Sequence, residues 1–241
     1  MAGKRRRTID NIKIAIAGAG RMGQTIARRL GRQSDLHLVG IWSRDTDLDA
    51  LVAAADVVID FSLPSGTEKV LQAVARHDKP LVCGVSGLSD EQMQQLDAVA
   101  AKVPVVYDRN MSLGIAVLER AVRDAAASLG PDFEVVIAET HHVHKKDAPS
   151  GTALKLGEAV TQAQAARGGR EIEYRVERHG EVPGDHEVIM TSPVERLSFS
   201  HSVTSRDVFA DGALHASRWL LGRAAGRYSM RDVLLRNPGA E

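Results

Sequence analysis

Ile12-Lys13-Ile14-Ala15-Ile16-Ala17-Gly18-Ala19-Gly20-Arg21-Met22-Gly23 runs an apolar, β-branched segment straight into a spaced set of glycines. The first half reads as a buried strand bounded by glycine. Beyond the glycines, Met22, Ile26 and Leu30 recur at helical spacing, and Gly31 stands where a C′ glycine would stop the helix. G-x-G-x-x-G alone is weak, but between a strand and a helix it marks a dinucleotide site. Gly18 permits the tight turn, Gly20 lets backbone approach a pyrophosphate, and Gly23 lets helix pack on strand. The helix start adds unpaired N–H groups and a positive dipole end. Gly18, Ala19, Gly20, Arg21, Met22 and Gly23 are therefore expected to bind the cofactor.

Outward from this stretch the alternation continues. Strands are expected at 36–42, 57–62, 81–83 and 103–107, with helices at 48–55, 67–77 and 91–101 between them. Such alternation means a parallel sheet with right-handed crossovers, an α/β fold of Rossmann-like type. An NAD-binding fold usually carries an acid about twenty residues after the glycines to hold the ribose 2′-hydroxyl. Ser43-Arg44 occupies that place here. An arginine fork suits a 2′-phosphate, so NADPH is expected over NADH, with Asp45 close enough to keep NADH use open. Ligands in such sheets bind beyond the carboxyl ends of strands. That points to Gly84, Val85 and Ser86, and to Asp108, Arg109, Asn110 and Met111, both turn-forming segments. Cys83 reads as a small buried residue.

The pattern changes after Ser112. A long helix is expected over 114–129, a strand over 133–138, a helix capped by Ser150 over 151–166, and strands at 172–178, 187–191 and 197–204. Strands that follow one another without helices favour an α+β domain with a mixed, largely antiparallel sheet. In 197–204 apolar and hydroxyl residues alternate, so one face should be buried and the other hydroxyl-rich. Closing helices are expected over 213–221 and 230–235. The resulting division is a dinucleotide-binding domain over 1–111, a substrate-binding and oligomerisation domain over 112–212, and C-terminal helices over 213–241 that pack back on the first domain.

Between strand and helix lies Glu139-Thr140-His141-His142-Val143-His144-Lys145-Lys146-Asp147-Ala148-Pro149-Ser150-Gly151-Thr152-Ala153. Hydride added to a conjugated C=N or C=C system leaves an electron-rich atom that must gain a proton, and a group titrating near working pH does this best. His141 and His142 fit, and so does Lys145 if its neighbours lower its pKa. The helix start at Gly151 and the Thr152 hydroxyl can grip a carboxylate, with Lys145 as an added cation. A small substrate carrying carboxylates is implied. A metal is not expected, because no cysteine lies nearby and one such cluster supplies few well-placed ligands. His144 ranks below the other two histidines, since continued alternation would turn it to the opposite side.

This segment resembles the signature E-x-H-H-x-x-K-x-D-x-P-S-G-T-A of 4-hydroxy-tetrahydrodipicolinate reductase, also called dihydrodipicolinate reductase. Ile59-Asp60-Phe61-Ser62, Gly84-Val85-Ser86-Gly87, Asn110-Met111-Ser112-Leu113-Gly114 and Met230-Arg231-Asp232-Val233-Leu234 are similar to further family segments. The resemblance implies NADPH- or NADH-dependent reduction of a cyclic dicarboxylate, with loss of water, in lysine and diaminopimelate biosynthesis. It implies His141 as acid/base, Lys145 as proton donor, and His142, Gly151 and Thr152 as carboxylate-binding residues. It also implies a homotetramer built through the second-domain sheet. The glycine loop is one residue shorter than the family's common form, Ser43 replaces the acidic ribose contact, and Gly84-Val85-Ser86-Gly87 replaces G-T-T-G.

Composition bounds the alternatives. A hydrophobic fraction of 44% with 26% charged residues suits a globular protein, and a net charge of zero favours neither nucleic acid nor an anionic membrane surface. No apolar run is long enough to span a bilayer, a single cysteine allows no internal disulfide, and a cytoplasmic location is expected. The basic residues 4–7 read as part of a disordered arm over 1–11. Two other functions compete: a different two-domain dehydrogenase of amino or hydroxy acids, and a nucleotide-binding sensor without turnover. Paired histidines beside a carboxylate grip argue against the sensor.

Overall fold

The structure is a computed structural model and describes residues 11–169 and 171–234. The basic arm at 4–7 and residue 235 of the last expected helix lie outside them. The chain divides into two compact units, residues 11–111 with 209–233, and residues 112–208.

The first unit is a six-stranded, wholly parallel sheet. Its strands are β1 (Ile12–Ala17), β2 (Leu36–Trp42), β3 (Val57–Asp60), β4 (Leu81–Cys83), β5 (Pro104–Tyr107) and β10 (Gly226–Tyr228), in the order β10-β5-β4-β3-β1-β2. Helices α1 (Arg21–Leu30), α2 (Leu48–Ala54), α3 (Pro64–Arg76) and α4 (Asp90–Ala100) join successive strands. The central strands β3 and β4 are buried along their whole length, which is why they read as unbroken apolar runs. Val58, Val70, Val74, Leu81, Leu96 and Val105 belong to one core. Ser89 caps α4 in a reciprocal capping box with Gln92. Gly31 does end α1, but with φ −61 in the right-handed region, so it is not the left-handed cap expected. Strand β10, three residues with no alternation, has no counterpart among the expected elements and pairs in parallel with β5.

The second unit holds α5 (Leu113–Leu129), β6 (Glu134–His141), α6 (Gly151–Gln164), β7 (Glu173–Arg178), β8 (Asp185–Thr191) and β9 (Arg196–His201). Its sheet order is β7-β6-β8-β9, with β6 and β7 parallel and the other pairs antiparallel. One face is covered by α5 and α6, through Ile115, Val122, Leu156 and Val160 against Val135, Ile137, Val188 and Met190. Strand β9 does alternate, with Ser198 and Ser200 exposed and Leu197 and Phe199 half-buried, though it ends at His201. Strand β6 runs three residues beyond its expected end, taking Glu139, Thr140 and His141 into the sheet. Helices α7 (Asp207–Leu220) and α8 (Met230–Leu234) are the last two helices of the described residues. No helix of the described residues is long and apolar enough to cross a membrane.

Candidate active site

In the first unit, β1 delivers the chain to Gly18, whose φ of +106 is open to glycine. A Cβ on Gly18 would stand 2.6 Å from the Phe61 carbonyl oxygen, so the loop after β1 lies hard against the loop after β3. A Cβ on Gly20 would meet nothing within 4 Å, which leaves the backbone open on the side a phosphate would approach. Gly20 is the N-cap of α1 with no side-chain cap, so the first N–H groups of that helix depend on a ligand or solvent. The neighbouring loop is set by Asp60, whose Oδ1 accepts from Ser62 N at 2.9 Å. Complete burial pushes the Asp60 carboxyl above its usual range.

These loops border a cavity of about 1040 Å³ whose walls include Gly18, Gly20, Trp42, Arg44, Gly66 and Lys69. Ala19 and Ser43 also line it. Arg44 is exposed and forms no ion pair among the described residues. The open glycine backbone, the uncapped helix start and a wall with cations fit a dinucleotide. Arg21, Met22 and Gly23 form the first turn of α1. Gly84, Val85 and Ser86 follow β4, and Asp108 to Met111 follow β5, but none of them lines this cavity. Val85, Asp108 and Met111 are buried. The Asp108 carboxylate accepts from Asn110 N at 3.3 Å and Met230 N at 3.2 Å, so its side chain holds the loop to α8. Cys83 is fully buried, and burial pushes its thiol pKa up, which leaves it unreactive.

The polar centre of the second unit grows from the alternation of β6. Val135, Ile137, Glu139 and His141 share the covered face, so a carboxylate and an imidazole stand in apolar phase. Burying a carboxylate is costly unless it is paired and hydrogen-bonded. Glu139 is both: Arg178 reaches Oε1 with Nη1 at 3.3 Å, and Ser150 N donates at 3.1 Å. Arg178 also donates to the carbonyls of Lys145 and Asp147, so it fastens the loop that follows β6. Ser150 caps α6 by accepting from Ala153 N at 3.2 Å, which places Gly151 and Thr152 in its first turn.

His141 is buried, with Nδ1 3.6 Å from Glu139 Oε2. Its ring meets that of His186 edge-on, centroids 5.1 Å apart. Its Nε2 lies toward Gly184, where an added Cβ would stand 2.9 Å from it. Burial lowers the His141 pKa, Glu139 works against that, and Lys145 and Arg178 add to it. Lys145 is partly buried and its Nζ lies 2.7 Å from Asp147 Oδ1, which holds the Asp147 carboxyl below its usual range. His142 is half-buried; burial, then the Arg206 cation, lowers its pKa. The strand ends at His141, so alternation does not decide the side of His144, which is exposed and pairs with Glu181 at 3.1 Å.

His141, Lys145 and the start of α6 are thus linked through Glu139 and Arg178. The His142 ring sits beside that of His144, centroids 6.0 Å apart, and the His142 carbonyl accepts from Lys145 N at 3.1 Å. Three members of the centre carried no assigned role in the sequence: Glu139, Arg178 and His186. The missed signal was a polar residue in the apolar phase of a strand, Arg178 after Tyr174 and Val176, and His186 before Val188 and Met190.

Glu139, His141 and His186 also bring a carboxylate and two imidazoles within 4.8 Å of one another, the donor types of a metal site. The carboxylate is already engaged by Ser150 and Arg178, and Lys145 adds a second positive charge, so the group is better suited to holding protons than a divalent cation.

The arrangement is matched by known proteins over nearly the whole chain. Residues 12–111 match the family model described as dihydrodipicolinate reductase, N-terminus, and residues 114–234 match its C-terminus. A 4-hydroxy-tetrahydrodipicolinate reductase of Xanthomonas campestris pv. campestris (strain B100) is 41% identical over 243 residues, covering 95% of this chain and 100% of the relative. The same-named protein of Zymomonas mobilis subsp. mobilis is 39% identical over 249 residues, covering 93% and 98%. A solved structure of a dipicolinate-bound dihydrodipicolinate reductase from Paenisporosarcina sp. TG-14 shares the fold at a TM-score of 0.79 and 20% identity, covering 92% of this chain and 99% of that one. With both family models matched end to end, the chain belongs to the dihydrodipicolinate reductase family.

Proposed function

We propose that this protein reduces 4-hydroxy-tetrahydrodipicolinate to tetrahydrodipicolinate with loss of water, a step of diaminopimelate and lysine biosynthesis. One observation carries the reading. A buried imidazole, the backbone of the loop that carries the Lys145 ammonium group, and the N-terminus of α6 all meet a single carboxylate–guanidinium pair. That is a proton-handling group joined to an anion grip. A dihydronicotinamide nucleotide held at the glycine loop of the first unit would supply the hydride. His141 takes a ring C–H proton at Nε2 and gives it to the departing hydroxyl, so that water leaves and a conjugated system forms, and Lys145 delivers a proton from Nζ to the ring atom left electron-rich by hydride addition. The first N–H groups of α6 at Gly151 and Thr152, with His142, hold the two carboxylates. Asp147 must give up or share Lys145 when the substrate binds.

The first unit serves the nicotinamide cofactor and the second the substrate. NADPH is the preferred form, a reading supported by Arg44 on the cavity wall in place of an acid. Gly18, Ala19, Gly20, Arg21, Met22, Gly23 and Ser43 serve the pyrophosphate and ribose. Gly84 to Ser86 and Asp108 to Met111 serve the nicotinamide end by backbone groups. The chain works as a cytoplasmic homotetramer, joined by the uncovered sheet face that carries Ala138, Ile189, Ser198 and Ser200. Light scattering on the eluting peak tests the oligomer.

The activity is tested by a coupled assay supplying pyruvate, aspartate semialdehyde, the preceding synthase and NADPH. Synthase-dependent NADPH oxidation is expected. Its absence with well-folded protein, together with oxidation of an amino or hydroxy acid, would replace this reading by that of another dehydrogenase.

A further inference from the structure

Glu139 is buried, with its side chain 1% exposed, yet it stands in the middle of the proposed proton machinery. Such a carboxylate can be a structural plug or a group that conditions its neighbours. The geometry separates the two. Its Oε1 takes Ser150 N at 3.1 Å and the Arg178 guanidinium at 3.3 Å. Its Oε2 faces His141 Nδ1 at 3.6 Å and His186 Nε2 at 3.8 Å. Ser150 N is shared with Oε2 at 3.2 Å, so the two partners hold the carboxylate in place with Oε2 also turned toward the two imidazoles. Neither His141 Nδ1 nor His186 Nδ1 has a hydrogen-bond partner among the described residues. A charge-assisted bond between such groups is about 2.8 Å long, so the 3.6 Å approach of His141 Nδ1 to Oε2 stops less than 1 Å short of one.

We infer that Glu139 is a positioning residue for His141, holding the Nδ1 side of the ring so that Nε2 is the nitrogen that exchanges protons with substrate. Arg178 fixes the carboxylate and, through the carbonyls of Lys145 and Asp147, sets the loop carrying Lys145 in register with His141. This rests on His141 being the acid/base residue. The groups facing His141 are Glu139 on its own strand, Arg178 on β7, His186 on β8, and Lys145 and Asp147 on the following loop. Glu139 and Asp147 favour the imidazolium, while Lys145 and Arg178 oppose it. The two members of the Glu139–Arg178 pair therefore act on His141 in opposite senses.

The test uses the full chain with Glu139→Gln and Arg178→Met, reading both the pH profile of kcat and the NMR titration of the His141 ring. Glu139→Gln should lower kcat on the order of tenfold or more, within the range general acid–base catalysis spans, with KM for the nicotinamide nucleotide unchanged. The profile limb belonging to His141 and the ring titration should both move to lower pH. Arg178→Met should move them to higher pH. An unmoved His141 titration in folded Glu139→Gln, or shifts of the same sign in both variants, overturns the inference. If Glu139→Gln does not fold, Glu139→Asp and Arg178→Met carry the same comparison. Full turnover in His141→Gln would instead sink the acid/base reading, while the ring titration still reports on Glu139.

Discussion

A Cβ placed on Gly23 would stand 1.8 Å from the carbonyl oxygen of Gly18. The first turn of α1 is thus pressed against the end of β1, and the glycine loop keeps its shape because nothing projects from residue 23. Gly20, between them, is the reverse case, with extended backbone and open space around it. The two glycines should respond differently to alanine. Gly23→Ala must shift backbone, and overpacking of this kind costs about 1–3 kcal/mol. It should lower Tm and weaken nucleotide binding together. Gly20→Ala should leave Tm within the change of a neutral surface substitution, yet crowd the pyrophosphate and weaken NADPH. Thermal unfolding and fluorescence titration separate them. Gly20→Ala with wild-type affinity would move the phosphate site away from this loop.

That loop and the parallel sheet were legible because their signals are local. Strands β1, β3 and β4 are uniform apolar runs, and a glycine turn needs no distant partner. Strand β10 was not legible. Gly226-Arg227-Tyr228 becomes a strand only because β5 presents an unpaired edge to it. Glu139 and His141 were read as part of a polar loop, since a carboxylate and an imidazole do not announce a buried strand end. What keeps them there is Arg178, 39 residues away, and Ser150, 11 residues away. The candidate residues of the signature could be picked out by pattern. The partners that condition them were set by register across three strands, which no single stretch of sequence displays.

Residues 209–233 return to the first unit, held by two forked ion pairs. Arg218 spans Asp35 at 2.6 and 2.7 Å and also reaches Gln33, while Arg29 spans Asp211 at 2.7 Å through both oxygens. Both sites are partly exposed, so solvent screens them and each contributes about 1 kcal/mol. The Arg218 guanidinium holds the Asp35 carboxyl below its ordinary 3.8. A depressed acid stabilises the fold above its unfolded pKa, and that contribution is lost as pH falls through the lower folded value. Arg218→Met should therefore lower Tm at neutral pH by an amount that shrinks below about pH 3.8. Thermal melts from pH 7 to pH 3 check this, and a constant deficit would show that packing of the arginine stem dominates.

Arg44 and Lys69 share the wall of the nucleotide cavity. If Arg44 grips a 2′-phosphate, Arg44→Ala should lose about ten- to a hundredfold in NADPH affinity, the worth of a charge-assisted hydrogen bond, and little for NADH. Lys69→Ala should show the same selectivity with a smaller loss, because an ammonium group makes no forked contact. Paired titrations of both nucleotides against the wild type and each variant measure it. Equal losses for NADPH and NADH would place Arg44 against a group common to both.

His186 sits between His141 and Ser150, nearly without solvent, with Nε2 3.3 Å from Ser150 Oγ. Burial first, and then the nearby His141, His201 and Lys145, push its pKa from 6.5 to about 3. The folded protein therefore keeps this ring neutral while the unfolded chain protonates it near 6.5. Between those values the unfolded state binds more protons, so stability must fall as pH drops through that window and level off below about 3. One group can contribute a slope of up to about 1.4 kcal/mol per pH unit. His186→Gln removes the titration. It should cost about 1–3 kcal/mol at pH 7, where the Ser150 contact is disturbed, and flatten the acid slope by up to about one proton. Urea unfolding at a series of pH values between 7 and 4 gives both quantities. A variant whose acid slope matches the wild type would mean that solvent reaches His186 in the folded state, and with it the interior that Glu139 needs to act on His141.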